Sequence, residues 1–176
     1  MQRARDVATL VGARDARAVR RARDLRRVGL AVIGLLLLLG ISGFLGIRSS
    51  TVTARSPDGW TLRVEHAQVT RAGIAVPFHV TVQHVGGFSG PVTLALSNSL
   101  PERFDFQNFY PNPGKETATA SRLLYEFDPP PGNTLRISLD ARTAPDQNGS
   151  TEVYHTAVLV DGQVVASVRF RMWVMP

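Results

Sequence analysis

The chain contains no cysteine. Disulfides and thiolate metal sites are thereby excluded, and a domain outside the reducing compartments would have to be held by its core alone. Lysine is nearly absent too: Lys115 stands alone against nineteen arginines, a bias that points to a GC-rich bacterial genome. Catalytic signatures are also missing. No GxSxG, GxxxxGK[ST] or GxGxxG occurs, and the four histidines (His66, His79, His84, His155) show no HxH or HxxxH spacing. The acidic pairs Glu102/Asp105 and Glu126/Asp128 fall near turns, where solvated charge is the ordinary role. No cofactor or metal is implied, and the residues argue against an enzyme.

What is present is unevenly placed. The net charge of +6 sits wholly in residues 1–27, with nine arginines and three aspartates. Residues 48–176 carry ten arginines and Lys115 against eleven acids, so that region is neutral. A nucleic-acid partner is not expected for it.

Residues 28–47 read VGLAVIGLLLLLGISGFLGI. Twenty helical residues span about 30 Å, the thickness of a bilayer's hydrocarbon core. Arg20, Arg21, Arg23, Arg26 and Arg27 precede this run, and positive charge marks the cytoplasmic side. The expectation is one transmembrane helix over 28–47, a basic helical tail over 1–27 in the cytoplasm, and a domain over 48–176 outside the cell membrane. Val52-Thr53-Ala54 offers a signal-peptidase site as the rival reading, but signal h-regions are usually about 7–15 residues. The tail arginines serve as a topology signal, with anionic lipid as the alternative partner. Ser42, Gly43 and Gly46 form a small-residue face through which two such helices would associate as a homo-oligomer.

From Thr51 the texture changes. Trp60, Leu62 and Val64 alternate with polar residues, as do Val76, Phe78, Val80 and Val82. Val92–Ser97, Arg122–Phe127, Leu135–Ala141 and Glu152–Val160 read as further strands. Asp161-Gly162 is a hairpin turn, after which Val164, Ala166, Val168, Phe170, Met172 and Val174 share one face. Period-two alternation places one face on a core and the other in solvent. Seven to eight such strands predict an all-β domain, an immunoglobulin-like two-sheet β-sandwich. Pro77 demands a bulge or a free edge within its strand.

One resemblance can be drawn on these residues. The segment PVTLALSNSLPERFDFQ, followed by FYPNPG and RLLYEFDPPPGNTLRISLDAR, resembles the conserved-repeat, DUF11-like module of bacterial and archaeal surface proteins. It rests on Leu100-Pro101, the apolar stretch Phe104–Phe109, the strand Leu124–Phe127, the Pro129–Gly132 turn and Leu135–Leu139. The resemblance covers about half of the region after residue 48. It implies an immunoglobulin-like fold and no catalytic residues.

Two surfaces are candidates for a partner. Four aromatics crowd between Pro101 and Pro111, of which Phe106, Phe109 and Tyr110 are candidate contacts; the alternative is that Phe104 and Phe106 enter the core while the other two cover an edge. Arg169, Arg171 and Trp173 lie on the outward face of the last strand. The functional expectation is a membrane-anchored interaction or structural module, an accessory subunit with a protein partner in the cell envelope. The alternative is a domain that binds cell-wall carbohydrate or another polymer through Phe104–Tyr110.

Overall fold

The computed structural model describes residues 3–42, 46–147 and 149–175, with side chains described from Ala18 onward except those of Phe106 and Gln107. The chain divides into two units, Met1–Leu45 and Gly46–Pro176.

The described residues of the first unit form one helix, α1 (Arg3–Ile41), followed by a turn at Ser42. Its sequence has no proline and is rich in Ala, Arg and Leu, all strong helix formers. The chain leaves the helix at Ser42, whose N–H donates to the Leu38 carbonyl at 2.9 Å and whose Oγ donates to the Leu39 carbonyl at 2.8 Å. Arg20, Arg21, Arg23, Arg26 and Arg27 are all exposed on α1.

This ending corrects the expected membrane span. No helix among the described residues is long and apolar enough to cross a membrane. The uncharged part of α1 runs from Val28 to Ile41. Its fourteen residues cover about 21 Å, well short of the roughly 30 Å hydrocarbon core. Three aspartates and nine arginines occupy the helix before Val28. The expectation of a single-pass membrane protein with its C-terminal domain outside is therefore withdrawn, together with the membrane partner. Homo-oligomerisation through the span goes with it. Ser42 lies in a turn, Gly43 lies outside the described residues, and Gly46 begins the second unit, so these three do not form a helix face.

The described residues of the second unit form ten strands and one short helix. They are β1 (Arg48–Arg55), β2 (Trp60–Arg71), β3 (Ala75–His84), β4 (Val92–Ser97), α2 (Ser99–Arg103), β5 (Phe104–Tyr110), β6 (Lys115–Ala118), β7 (Arg122–Phe127), β8 (Thr134–Thr143), β9 (Ser150–Val160) and β10 (Gln163–Met175). All ten belong to one hydrogen-bonded sheet, ordered β5-β8-β3-β2-β10-β9-β4-β7-β6, with β1 attached to β2. The fold is thus a single curled, mixed sheet, a half-barrel, and not the predicted two-sheet immunoglobulin-like sandwich.

The difference lies in β2. Its N-terminal part pairs with β3 from Trp60 to His66 and with β1 along the other edge. His66 and Ala67 are both buried, which breaks the alternation and bends the strand. Beyond the bend Val69–Arg71 pair in parallel with Trp173–Met175 of β10. Those three residue pairs join two groups of antiparallel strands into one sheet. Pairing of β3 to β2 stops at Phe78, so Pro77 sits where β3 has lost that neighbour and its missing donor costs little.

The predicted alternation positions the core correctly. Leu62, Val64, Phe78, Val80, Leu94, Leu96, Ile137, Tyr154, Val158, Phe170 and Met172 meet in one cluster. Phe170 is packed among His66, Phe78 and Tyr154, with ring centroids 4.4, 5.9 and 5.9 Å away. Asp161 (φ 50°) and Gly162 (φ 77°) supply the two positive angles of the β9–β10 turn. An irregularity between Val164 and Ala166 shifts the register, which leaves Val164 exposed rather than inward.

Candidate functional site

The terminal strands of the sheet, β5 and β6, are consecutive in the chain and joined by four residues, Pro111–Gly114. The curl brings the two ends of the sheet toward each other, and a cleft of about 550 Å3 opens between them. Phe104, Asn108 and Phe109 of β5 form one wall. Asn112 and Pro113 of the linker close one end, Glu116 of β6 stands on the other side, and Tyr125 of β7 meets Phe109 at the bottom.

Each side chain arrives for a local reason. The short helix α2 delivers the chain to β5, and its Leu100 is fully buried. Strand β5 then pairs with β8, with an irregularity between Phe106 and Asn108. That irregularity shifts the alternation, so that Phe109 packs against the same core as Phe104 five residues before it, and Asn108 and Phe109 both line the cleft. Phe109 packs on Tyr125 with centroids 4.4 Å apart and reaches Phe127 at 6.3 Å. Burial, and then the Glu116 carboxylate, push the Tyr125 phenol upward, so it remains a neutral donor at ordinary pH. The cleft therefore offers aromatic carbon on its floor and amide, carboxylate and hydroxyl groups around it.

The sequence candidates divide. Phe109 is at the cleft, half-buried. Tyr110, 81 % exposed, projects beside it. Phe106 belongs to β5, but its side chain lies outside the described residues. Arg169, Arg171 and Trp173 are exposed on the outward face of β10, where Arg171 and Trp173 border a shallow hollow with Gln68 and Thr151. The cleft and this outward face are separate surfaces.

Alternation along single strands could not reveal the polar members of the cleft. Asn112 and Asn108 sit at a linker and an irregularity, and Glu116 is on a four-residue strand that is exposed throughout. The sequence also hid a buried cation. Arg103 of α2 donates from Nη1 to Gln147 Oε1 at 2.7 Å and to Ser150 Oγ, and from Nη2 to Glu152 Oε1 at 2.5 Å. Tyr154 OH donates to the second Glu152 oxygen at 3.0 Å. Its phenol is pushed up, first by burial and then by the Glu152 charge. This network holds α2 against β9.

None of the histidines gathers a metal set. His66 is buried and stacked on Phe170, His84 stacks on Trp60 at 4.1 Å and donates to the Gly87 carbonyl, and His79 meets Ser138 at 3.0 Å. Among the described residues no three His, Asp or Glu side chains could hold a metal ion together.

No protein-family model matches the chain, and no curated protein matches it. Solved structures with similar backbones exist at low identity. AvmM, which catalyses macrocyclization in alchivemycin A biosynthesis, is 9 % identical with a TM-score of 0.39, over 74 % of this chain and 89 % of that one. The Pseudomonas fluorescens alkylpurine DNA glycosylase AlkC, bound to DNA containing an abasic site analog, is 12 % identical with a TM-score of 0.31, over 73 % of this chain and 31 % of that one. Neither likeness is close enough to carry a functional argument.

Proposed function

We propose that the second unit is a binding module and that the cleft between β5 and β6 takes a carbohydrate segment. The supporting observation is the combination of the Phe109–Tyr125 aromatic floor with Asn108, Asn112 and Glu116 around one opening. Sugar rings have apolar C–H faces and polar edges. They pack on aromatic faces while their hydroxyls exchange hydrogen bonds with amides and carboxylates. A mostly apolar ligand would leave those polar groups without water or partners, at about 1–3 kcal/mol each. The exposed Tyr110 extends the aromatic surface beyond the opening, which suits a polymer longer than the cleft.

Pull-down of the full chain on insoluble bacterial cell-wall polysaccharide tests this reading. Asn112→Ala and Glu116→Gln, which touch no buried core, are expected to reduce retention about tenfold or more. Phe109→Ala should do the same if its melting curve shows a folded protein. Wild-type retention no greater than that of an unrelated protein, or equal retention of all variants, rejects the proposal.

A further inference from the structure

On the outward face of β1, β2, β3 and β8, three arginines, Arg55, Arg63 and Arg136, gather around one hollow, the last of them brought in from a distant part of the chain. Register places Thr53 opposite Arg63, Arg63 opposite Thr81, and Thr81 opposite Arg136, so one row crosses four strands as Thr, Arg, Thr, Arg. In the next row Arg55 stands opposite Thr61. Strands two apart lie roughly 9–10 Å from each other, within reach of two arginine side chains that lean together. The three arginines line one hollow of about 430 Å3, with Thr53, Thr61 and Thr81 between them.

The electrostatics are unbalanced. Among the described residues Glu65 is the one carboxylate lining the hollow, so three positive charges face one negative. None of the three guanidiniums makes an ion pair among the described residues. A neutral domain that concentrates uncompensated arginine on one sheet face is repelling itself there, and an anion would relieve that repulsion.

We propose that this hollow is a phosphate-binding site. A carboxylate has two oxygens and is satisfied by one bidentate arginine. A terminal phosphate presents three acceptor oxygens and up to two charges, which matches three converging guanidiniums with threonine hydroxyls between them. The ligand class is free phosphate or a phosphate monoester. The site is separate from the β5–β6 cleft, on the opposite side of the sheet from the core.

Calorimetric titration of the full chain with inorganic phosphate, phenyl phosphate and benzoate at low ionic strength tests the assignment. Inorganic phosphate or phenyl phosphate should bind. Tighter binding of phenyl phosphate identifies an ester as the source, and tighter binding of inorganic phosphate identifies the free ion. Arg63→Ala with Arg136→Ala should weaken binding at least tenfold, and Arg63→Lys should recover only part of the loss in an Arg136-intact protein. Arg122→Ala with Arg142→Ala removes the same charge from exposed positions that do not line the hollow and should leave affinity within twofold. Absence of phosphate binding overturns the proposal. So does equal weakening by both double variants, or benzoate binding as tightly as phenyl phosphate. Matching thermal melts of the variants exclude loss through unfolding.

Discussion

Arg103 and Glu152 meet at 2.5 Å, a guanidinium with a side chain only 9 % exposed against a carboxylate that is 43 % exposed. The pair is lopsided, so its two halves differ in what their removal does. Without Glu152 the charge of Arg103 stays buried and uncompensated. Without Arg103 the carboxylate can turn to water. Glu152→Ala is therefore expected to destabilise more than Arg103→Met, by about 1–2 kcal/mol after allowance for the solvent at Glu152. Urea melts of the two variants decide it, and a larger loss for Arg103→Met would contradict the argument.

The same pair sets an acid limit. The hydrogen bond from Arg103 holds the Glu152 carboxyl below its ordinary value of 4.5. A folded-state value below the unfolded one contributes stability above about pH 4.5, and that contribution is lost as pH falls through the lowered value. The slope of stability against pH between 5 and 3 should be shallower in Glu152→Gln than in the wild type.

His66 acts in the near-neutral range. Its ring is buried against Phe170, and burial lowers its value below the ordinary 6.5, opposed in part by the Ala67 carbonyl. The neutral ring is the form that fits. Stability is thus fully present above about pH 6.5 and declines as pH falls through the lowered folded value. His66→Phe should flatten the dependence of the urea midpoint between pH 7.5 and 5.5. An unchanged slope would remove His66 as its source.

Phe170 and Arg169 are neighbours on opposite faces of β10. Phe170→Ala empties space among three rings and is expected to cost about 3–5 kcal/mol. Arg169→Ala alters only the exposed face and should cost under about 1 kcal/mol. Denaturant melts that ranked them the other way would invert the strand register.

Thr156 offers a gain. Its side chain is fully buried in β9, and its hydroxyl finds no hydrogen-bond partner among the described residues. Thr156→Val keeps the shape and removes the unsatisfied group, which should stabilise by about 1 kcal/mol. A lower urea midpoint would mean that an unseen partner serves the hydroxyl.

Legibility in the sequence followed burial. Strands with one face on the core, such as β3, β8 and β10, announce themselves by alternation, and the Asp161-Gly162 turn by its chemistry. Three strands did not. β1 is half exposed with small polar residues, β6 is exposed throughout, and β5 has an irregularity that breaks its period, so it reads as an aromatic stretch. Alternation also reports only which face is inward, never which strand is the neighbour. The Val69–Arg71 pairing with β10 that makes one sheet from two is non-local and three residues long. For the same reason Phe109 was visible from sequence, while Glu116, Tyr125 and the Arg55, Arg63 and Arg136 trio were not.

The four-residue linker between β5 and β6 acts as a leash. From Tyr110 to Lys115 the backbone can extend no more than about 18 Å, whatever the rest of the sheet does. The mouth of the cleft therefore has a fixed upper gauge at that end, while its far end carries no such tie in the chain. A guest can be long toward the far end, but its width is limited where it lies against Asn112 and Pro113. The selection is by cross-section, and it is set by chain connectivity rather than by any one contact.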